Sequence, residues 1–162
     1  MVWGAMKYGK KGPLTFVEQG VKINAAYYRT EILEKTLLPW AEEKIGRDEI
    51  GVWREEWIFQ QDGATSHTAN ATQNWLQQKV PNFIAKEEWP SNSCDANPIE
   101  NLWAIMKEEV GAQEYETVDE LKEAIEEAWD RIPQETIDIL ADSFPDRLLA
   151  ILGANGGHFE SI

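Results

Sequence analysis

Two acidic residues in this chain stand where carboxylate chemistry is feasible. Asp62 closes the run Trp57-Ile58-Phe59-Gln60-Gln61-Asp62, and Glu100 opens the run Asn97-Pro98-Ile99-Glu100-Asn101-Leu102-Trp103. Carboxylates are hard oxygen donors and suit Mg²⁺, which keeps several waters and serves phosphate chemistry. A pair of such ions about 4 Å apart can activate a water and stabilise a leaving 3′ oxygen. That arrangement needs more than two carboxylates. Asp95 is a third acid in the same region, and His67, just beyond Asp62, could orient a nearby group or touch a phosphate.

Each of these residues also has a plainer role open to it. Asp62-Gly63 is a common turn pair. With Asn97 as N-cap and Pro98 at the first helical position, Glu100 is placed to reach back to the cap's backbone N–H. Asp95 suits a turn before that helix, and His67 suits local packing at a helix start. On local sequence alone the plainer roles take precedence, although ligands in open α/β sheets bind at the carboxyl ends of the strands. Around the helix, Glu100 lies about 60° from Trp103, at the edge of the apolar stripe.

Other mechanisms find little support. Ser66, His67 and Asp62 make no hydrolase triad, since no G-x-S-x-G elbow exists. His67, His158 and Cys94 match no zinc spacing. There is no Walker loop, and Gly153, Gly156 and Gly157 do not sit between a strand and a helix. The sequon at Asn70-Ala71-Thr72 carries no weight without a secretory route.

The elements that must position these residues read as follows. Val2–Ala5 and Leu14–Val17 are short strands around a turn at Lys10–Pro13, forming a hairpin. Asn24 caps a helix from Ala25 to Lys44, which Pro39 should kink or divide. Residues 46–56 form a polar connection. Trp57–Gln60 shows no polar alternation and reads as a strand covered on both faces. A helix over 68–78 turns Trp75 and Leu76 inward, and Asn82–Ala85 is another strand. A loop over 88–95 precedes the helix that carries Glu100, whose stripe is Ile99, Leu102, Trp103, Met106 and Val110. Thr117 and Glu120 form a capping box for a further helix with Val118, Leu121, Ile125, Ala128 and Trp129 inward. Its acids Glu120, Glu123, Glu126, Glu127 and Asp130 read as a solvated face. Helical segments then run over 133–152, and the tail from Gly153 is irregular. This order implies an α/β sheet covered by helices and opened by an antiparallel hairpin.

Composition agrees with one globular domain. The 162 residues are 43% hydrophobic and 27% charged, which excludes a disordered chain. No apolar run approaches the roughly 20 residues of a membrane span, and the N-terminus lacks a secretory h-region. One cysteine excludes an internal disulfide and points to an intracellular setting. The net charge of −14 argues against a surface that simply coats phosphates. Residues 1–30 are the exception, with Lys7, Lys10, Lys11, Lys22 and Arg29 against Glu18 alone. Any nucleic-acid contact would favour that segment.

Taken as a set, these residues resemble a known family. WIFQQDGATSHTA followed by EEWPSNSCDANPIENLWAIMK is similar to the catalytic domain of mariner-superfamily DNA transposases. The opening VWGAMKYGKKGPLTFVEQGVKINAAYY and the ending SFPDRLLAILGANGGH also resemble that domain, so the likeness covers essentially the whole chain.

The resemblance implies a ribonuclease H-like mixed α/β sheet flanked by helices, with residues 1–162 as a single DDE-type catalytic domain. It implies three carboxylates holding two Mg²⁺ or Mn²⁺ ions for DNA cleavage and strand transfer. By position, Asp62 matches the second carboxylate and Glu100 the third, while His67 and Asp95 would stand behind them. The partners it implies are DNA, as transposon ends and target, and a second copy of the chain. The implied location is the nucleus.

Three departures accompany it. The family's first aspartate lies on a strand upstream of Val2-Trp3-Gly4, so the domain is expected to be incomplete at its N-terminus, with a weakened metal site and little activity. The helix-turn-helix DNA-reading region is also expected to be absent. Ser93-Cys94-Asp95-Ala96-Asn97-Pro98 replaces the family's usual S-P-D-L-N-P. The alternative expectation is a domesticated, non-catalytic domain that binds nucleic acid or protein.

Overall fold

A computed structural model describes residues 1–90 and 92–154. Four strands and a set of helices follow the expected order. They are β1 (Val2–Lys7), β2 (Lys10–Phe16), a long helix α1 over residues 25–44, β3 (Ile58–Phe59), α2 (Thr65–Thr68), α3 (Asn70–Lys79), β4 (Asn82–Phe83), α4 (Ile99–Val110), α5 (Val118–Arg131), α6 (Gln134–Asp142) and α7 (Phe144–Gly153). Contacts divide the chain into two units. One holds Val17–Ser93 with Met1, and the other joins Val2–Phe16 to the residues from Cys94 onward. Among the described residues no helix is long and apolar enough to cross a membrane.

In the first unit, the Asn24 side chain accepts from the N–H groups of Ala26 (3.0 Å) and Tyr27 (2.9 Å), so the helix starts where the sequence places its cap. The helix does not break at Pro39. Residues Tyr28–Leu37 form a π-helical stretch before Leu38–Lys44 returns to α geometry, and Leu38 N–H donates to Leu33 O. Proline lacks an N–H and clashes with the carbonyl four residues back in an α-helix. Pro39 falls in the first turn of the returning α segment, a position proline tolerates, so the chain continues. This stretch buries Tyr28, Ile32, Leu33 and Leu37.

β3 and β4 pair in parallel, with Ile58 opposite Asn82 and Phe59 opposite Phe83. Ile84 N–H extends the ladder by donating to Phe59 O at 3.0 Å. The strand is shorter than expected and is not covered on both faces. Trp57 is buried, whereas Ile58 is 67% exposed. Alternate side chains of a strand point to opposite faces, and among the described residues the face that carries Ile58 is left open. The connection over residues 46–56 is more ordered than its polarity suggests. The Arg47 guanidinium lies 4.0 Å from the Trp53 ring, and Asp48 Oδ1 accepts from Ile50 N and Val52 N.

In the second unit, β1 and β2 form the expected antiparallel hairpin, but its turn lies at Tyr8-Gly9 rather than Lys10–Pro13. Gly9 supplies the left-handed φ of +73° that a tight hairpin turn requires. Pro13 is accommodated because the register shifts between Gly4 and Met6, where the ladder is interrupted. Gly12 is needed at this irregularity, since a Cβ there would collide with the backbone oxygen of Ala5.

The helices bury one apolar cluster around Leu102, Met106, Ala128, Trp129, Ile132 and Ile137, with Met6 and Leu14 of the hairpin packed against it. Trp129 ties the layers together. Its ring stacks on Trp103 at 5.8 Å, and its Nε1 donates to Gly12 O at 3.2 Å. Lys11 Nζ donates to Trp129 O (2.8 Å) and Asp130 O (2.9 Å), placing a cation at the C-terminal end of α5.

Thr117 and Glu120 form the expected capping box, and the acidic face of α5 is exposed. Val118 departs from the expected stripe at 59% exposure, because the first turn of α5 projects beyond the cluster. Gly153 ends α7 instead of opening an irregular tail, while Gly156, Gly157 and His158 lie outside the described residues.

The Thr117 cap yields a direct test. Thr117→Ala is expected to lower unfolding free energy by about 1 kcal/mol, and Thr117→Ser by much less. Urea denaturation of both variants checks this, and equal losses would show that the hydroxyl cap is not the source.

Candidate functional site

Asp62 lies beyond the end of β3, on an irregular stretch that leads into the four-residue helix α2. Its Oδ1 accepts from Ala64 N–H at 3.0 Å, which is a local Asx-type turn. The turn role is therefore real, but it accounts for only part of the geometry. The same oxygen contacts His67 Nδ1 at 2.6 Å. The Asp62 side chain is 50% exposed and that of His67 16%. The hydrogen bond from His67 holds the Asp62 carboxyl below its ordinary 3.8; burial opposes this, while the Ala64 N–H and the His67 charge add to it. Asp62 is thus an ionised, solvent-accessible carboxylate at the carboxyl end of a strand.

His67 is itself held firmly. Its ring lies against that of Tyr28, with centroids 4.1 Å apart and planes tilted by 34°. Its backbone oxygen accepts from Gln73 Nε2 (3.0 Å) and Gln61 Nε2 (3.2 Å). Tyr28 is 1% exposed, and its hydroxyl donates to Gln61 Oε1 at 2.9 Å. Thr72, fully buried, donates its hydroxyl to Ser66 O at 2.8 Å. These partners carry no signal of their own in the sequence. A tyrosine, a threonine and two glutamines become legible only once the helices are packed.

Glu100 stands in the first turn of α4 and is exposed. The expected cap is not formed. Pro98 occupies the N-cap position without a side-chain hydrogen bond, and Asn97 instead donates from Nδ2 to Glu100 Oε1 at 3.4 Å. Asn97 is 5% exposed, and its own backbone N–H donates to Cys94 O at 3.0 Å.

Asp95 lies in a 3₁₀ turn, Cys94–Ala96, and its Oδ1 accepts from Ala96 N–H at 3.2 Å. Its backbone oxygen accepts from Arg147 Nη1 at 2.9 Å, while Arg147 Nε donates to Ser143 Oγ at 2.8 Å. Arg147 is 7% exposed; burial lowers its pKa, and the nearby Asp95 charge partly offsets the shift. This arginine anchors the segment before Glu100 and was not singled out from the sequence. Its available signal was a lone cation within the apolar stripe of α7.

Asp62 and His67 belong to the first unit, Asp95 and Glu100 to the second. Among the described residues no group of three or more His, Cys, Asp and Glu side chains gathers into a metal cluster. By its chemistry the Asp62 carboxylate suits a hard divalent cation, and half of its side chain remains open to solvent.

Comparison with known proteins bears on this arrangement. A family model described as DDE superfamily endonuclease matches residues 2–122. The transposable element Tc1 transposase of Caenorhabditis elegans is 33% identical over 156 residues, covering 96% of this chain and 52% of that protein. The Tc3 transposase of the same organism is 37% identical over 158 residues, covering 96% and 44%. The chain thus spans about half the length of these relatives. Among solved structures, the catalytic domain of Mos1 mariner transposase superposes with a TM-score of 0.78 at 21% identity, over 93% of this chain and 71% of that one. The Mos1 mariner paired end complex with Mn gives 0.81 at 20% identity, over 96% and 43%. The shared architecture is ribonuclease H-like. The chain belongs to the DDE superfamily endonucleases, among relatives that are Tc1/mariner transposases.

Proposed function

We propose that this chain is a transposase-derived domain for metal-dependent DNA phosphodiester cleavage and strand transfer, weakly active by itself, with Asp62 and Glu100 as metal ligands. The observation that carries the reading is the Asp62 carboxylate, ionised, half exposed and held by His67 and Ala64 at the end of β3. It falls within the stretch that matches the endonuclease family. Mg²⁺ or Mn²⁺ held there would supply the Lewis-acid chemistry of phosphodiester cleavage, weakly, since the full two-ion arrangement needs more than these two carboxylates.

The chain's own residues have separable tasks in this reading. Asp62 offers a carboxylate that is ionised at neutral pH, and His67 holds one of its oxygens in place. Glu100 offers a second carboxylate from the start of α4. Asp95 and Arg147 steady the segment that leads into that helix. We assign residues 1–162 to one catalytic domain, DNA as its substrate, a second copy as its partner and the nucleus as its location. Relatives named as transposases, and a Mos1 paired-end complex with a transposon end, support DNA and a second copy as its partners.

Two measurements test the reading. Mn²⁺ binding, followed by electron paramagnetic resonance, is expected to weaken at least about tenfold in Asp62→Asn and in Glu100→Gln, with parallel loss of Mn²⁺-dependent plasmid nicking. An unchanged Mn²⁺ response in both variants would favour a non-catalytic binding domain instead.

The second prediction concerns acidity. Because folding favours ionised Asp62, its contribution to stability is complete above the ordinary aspartate value of 3.8 and is lost as pH falls through the lowered one. The stability gap between wild type and Asp62→Asn should therefore narrow under acid in urea unfolding. A gap that widens on acidification would show that folding does not favour the ionised form.

A further inference from the structure

Asp62 sits on irregular backbone, and its histidine partner sits on a helix of four residues. So short a helix has almost no stability of its own. An imidazole on it would be free to rotate and to exchange its proton between the two nitrogens. What fixes His67 must therefore come from other elements.

Backbone groups set the polarity of every bond around it. Lys86 N–H can only donate, and it does so to Gln73 Oε1 at 3.0 Å. The Gln73 amide nitrogen must then face the other way, where it donates to His67 O at 3.0 Å. That carbonyl can only accept, so the Gln61 amide nitrogen is turned to it as well. Gln61 Oε1 is left to face Tyr28, whose hydroxyl donates to it. The Tyr28 ring lies on the imidazole at 4.1 Å and restricts its rotation. At the end of this chain Asp62 Oδ1 is a carboxylate oxygen, an acceptor only, so the hydrogen in the 2.6 Å contact belongs to Nδ1. Neither amide can be reversed without breaking a bond to a backbone group.

We propose that Gln73 and Tyr28 are positioning residues for Asp62, acting through His67 to hold its ring in the Nδ1–H form aimed at the carboxylate. Gln73 reaches from α3 and fixes the backbone of His67, while Tyr28 reaches from the π-helical stretch and fixes its ring. Neither needs to touch metal or DNA. The inference rests on the reading of Asp62 as a ligand only where it concerns metal affinity, since the orientation of His67 can be read without metal.

The test uses nitrogen-15 long-range correlation spectra of the histidines at about pH 8, where an ordinary imidazole is neutral, together with Mn²⁺ titration. Wild-type His67 is expected to show the Nδ1–H form. In Gln73→Met, which keeps length and volume but has no amide, the Nε2–H form should grow and Mn²⁺ affinity should fall about tenfold. Tyr28→Leu should do the same, while Tyr28→Phe, which keeps the ring, should stay nearer to wild type.

The proposal is overturned if wild-type His67 carries its proton on Nε2, a result that no folding defect in a variant can obscure. It is equally overturned if Gln73→Met and Tyr28→Leu lose thermal stability but keep the wild-type His67 signature and Mn²⁺ affinity, because that is what purely structural residues would do. If Asp62→Asn leaves Mn²⁺ binding intact, the ligand reading fails, while the His67 spectra still decide the positioning role.

Discussion

A carboxylate on an irregular turn keeps its direction only when something beyond the turn holds it. Here that hold is the 2.6 Å contact between His67 Nδ1 and Asp62 Oδ1. β3 ends at Phe59, so no strand ladder reaches Asp62. The Ala64 N–H shapes the turn but cannot place it relative to the core. His67 does so because its backbone is tied to Gln73 on α3 and its ring lies against buried Tyr28 on α1. The π-helical stretch fits the same demand, since it carries Tyr28, 1% exposed, into the core where the imidazole lies.

The second unit is organised by apolar packing instead. Leu102 and Met106 seat α4 in the cluster shared with α5 and α6, and Trp129 joins that cluster to the hairpin through its ring and its Nε1. Glu100 is carried at the start of a helix whose opposite stripe is buried, so its place follows from shape and volume. Polar support enters only upstream, where buried Arg147 grips the Asp95 carbonyl. The two carboxylates thus depend on different physics. Asp62 is sensitive to the loss of single hydrogen-bond donors, whereas Glu100 is sensitive to changes in core volume.

Features with a local cause were the ones legible beforehand. Asn24 and Thr117 cap helices because a side chain and the N–H groups it serves lie within one turn of each other. The stripes of α4 and α5 follow from helical periodicity. Features set by competition between neighbours were misread. The hairpin turned at Gly9 because a left-handed residue was available there, leaving Pro13 to an irregular register. Pro39 did not divide its helix, because it falls in the first turn of the α segment that follows the π stretch. Asn97 does not cap its helix, because its side-chain amide is turned to the Glu100 carboxylate.

The candidate residues themselves, Asp62, His67, Asp95 and Glu100, were legible from residue type, strand and helix boundaries and family likeness, all of which are written along the chain. The identity of their supports was not. Tyr28, Gln61, Thr72 and Gln73 converge on α2 from three segments, and Arg147 reaches back to Asp95 from the last described helix. A hydrogen bond between distant residues has no periodicity and no fixed spacing. Only the packed chain decides which donor meets which acceptor, and with it the protonated nitrogen of His67 and the direction of the Asp62 carboxylate.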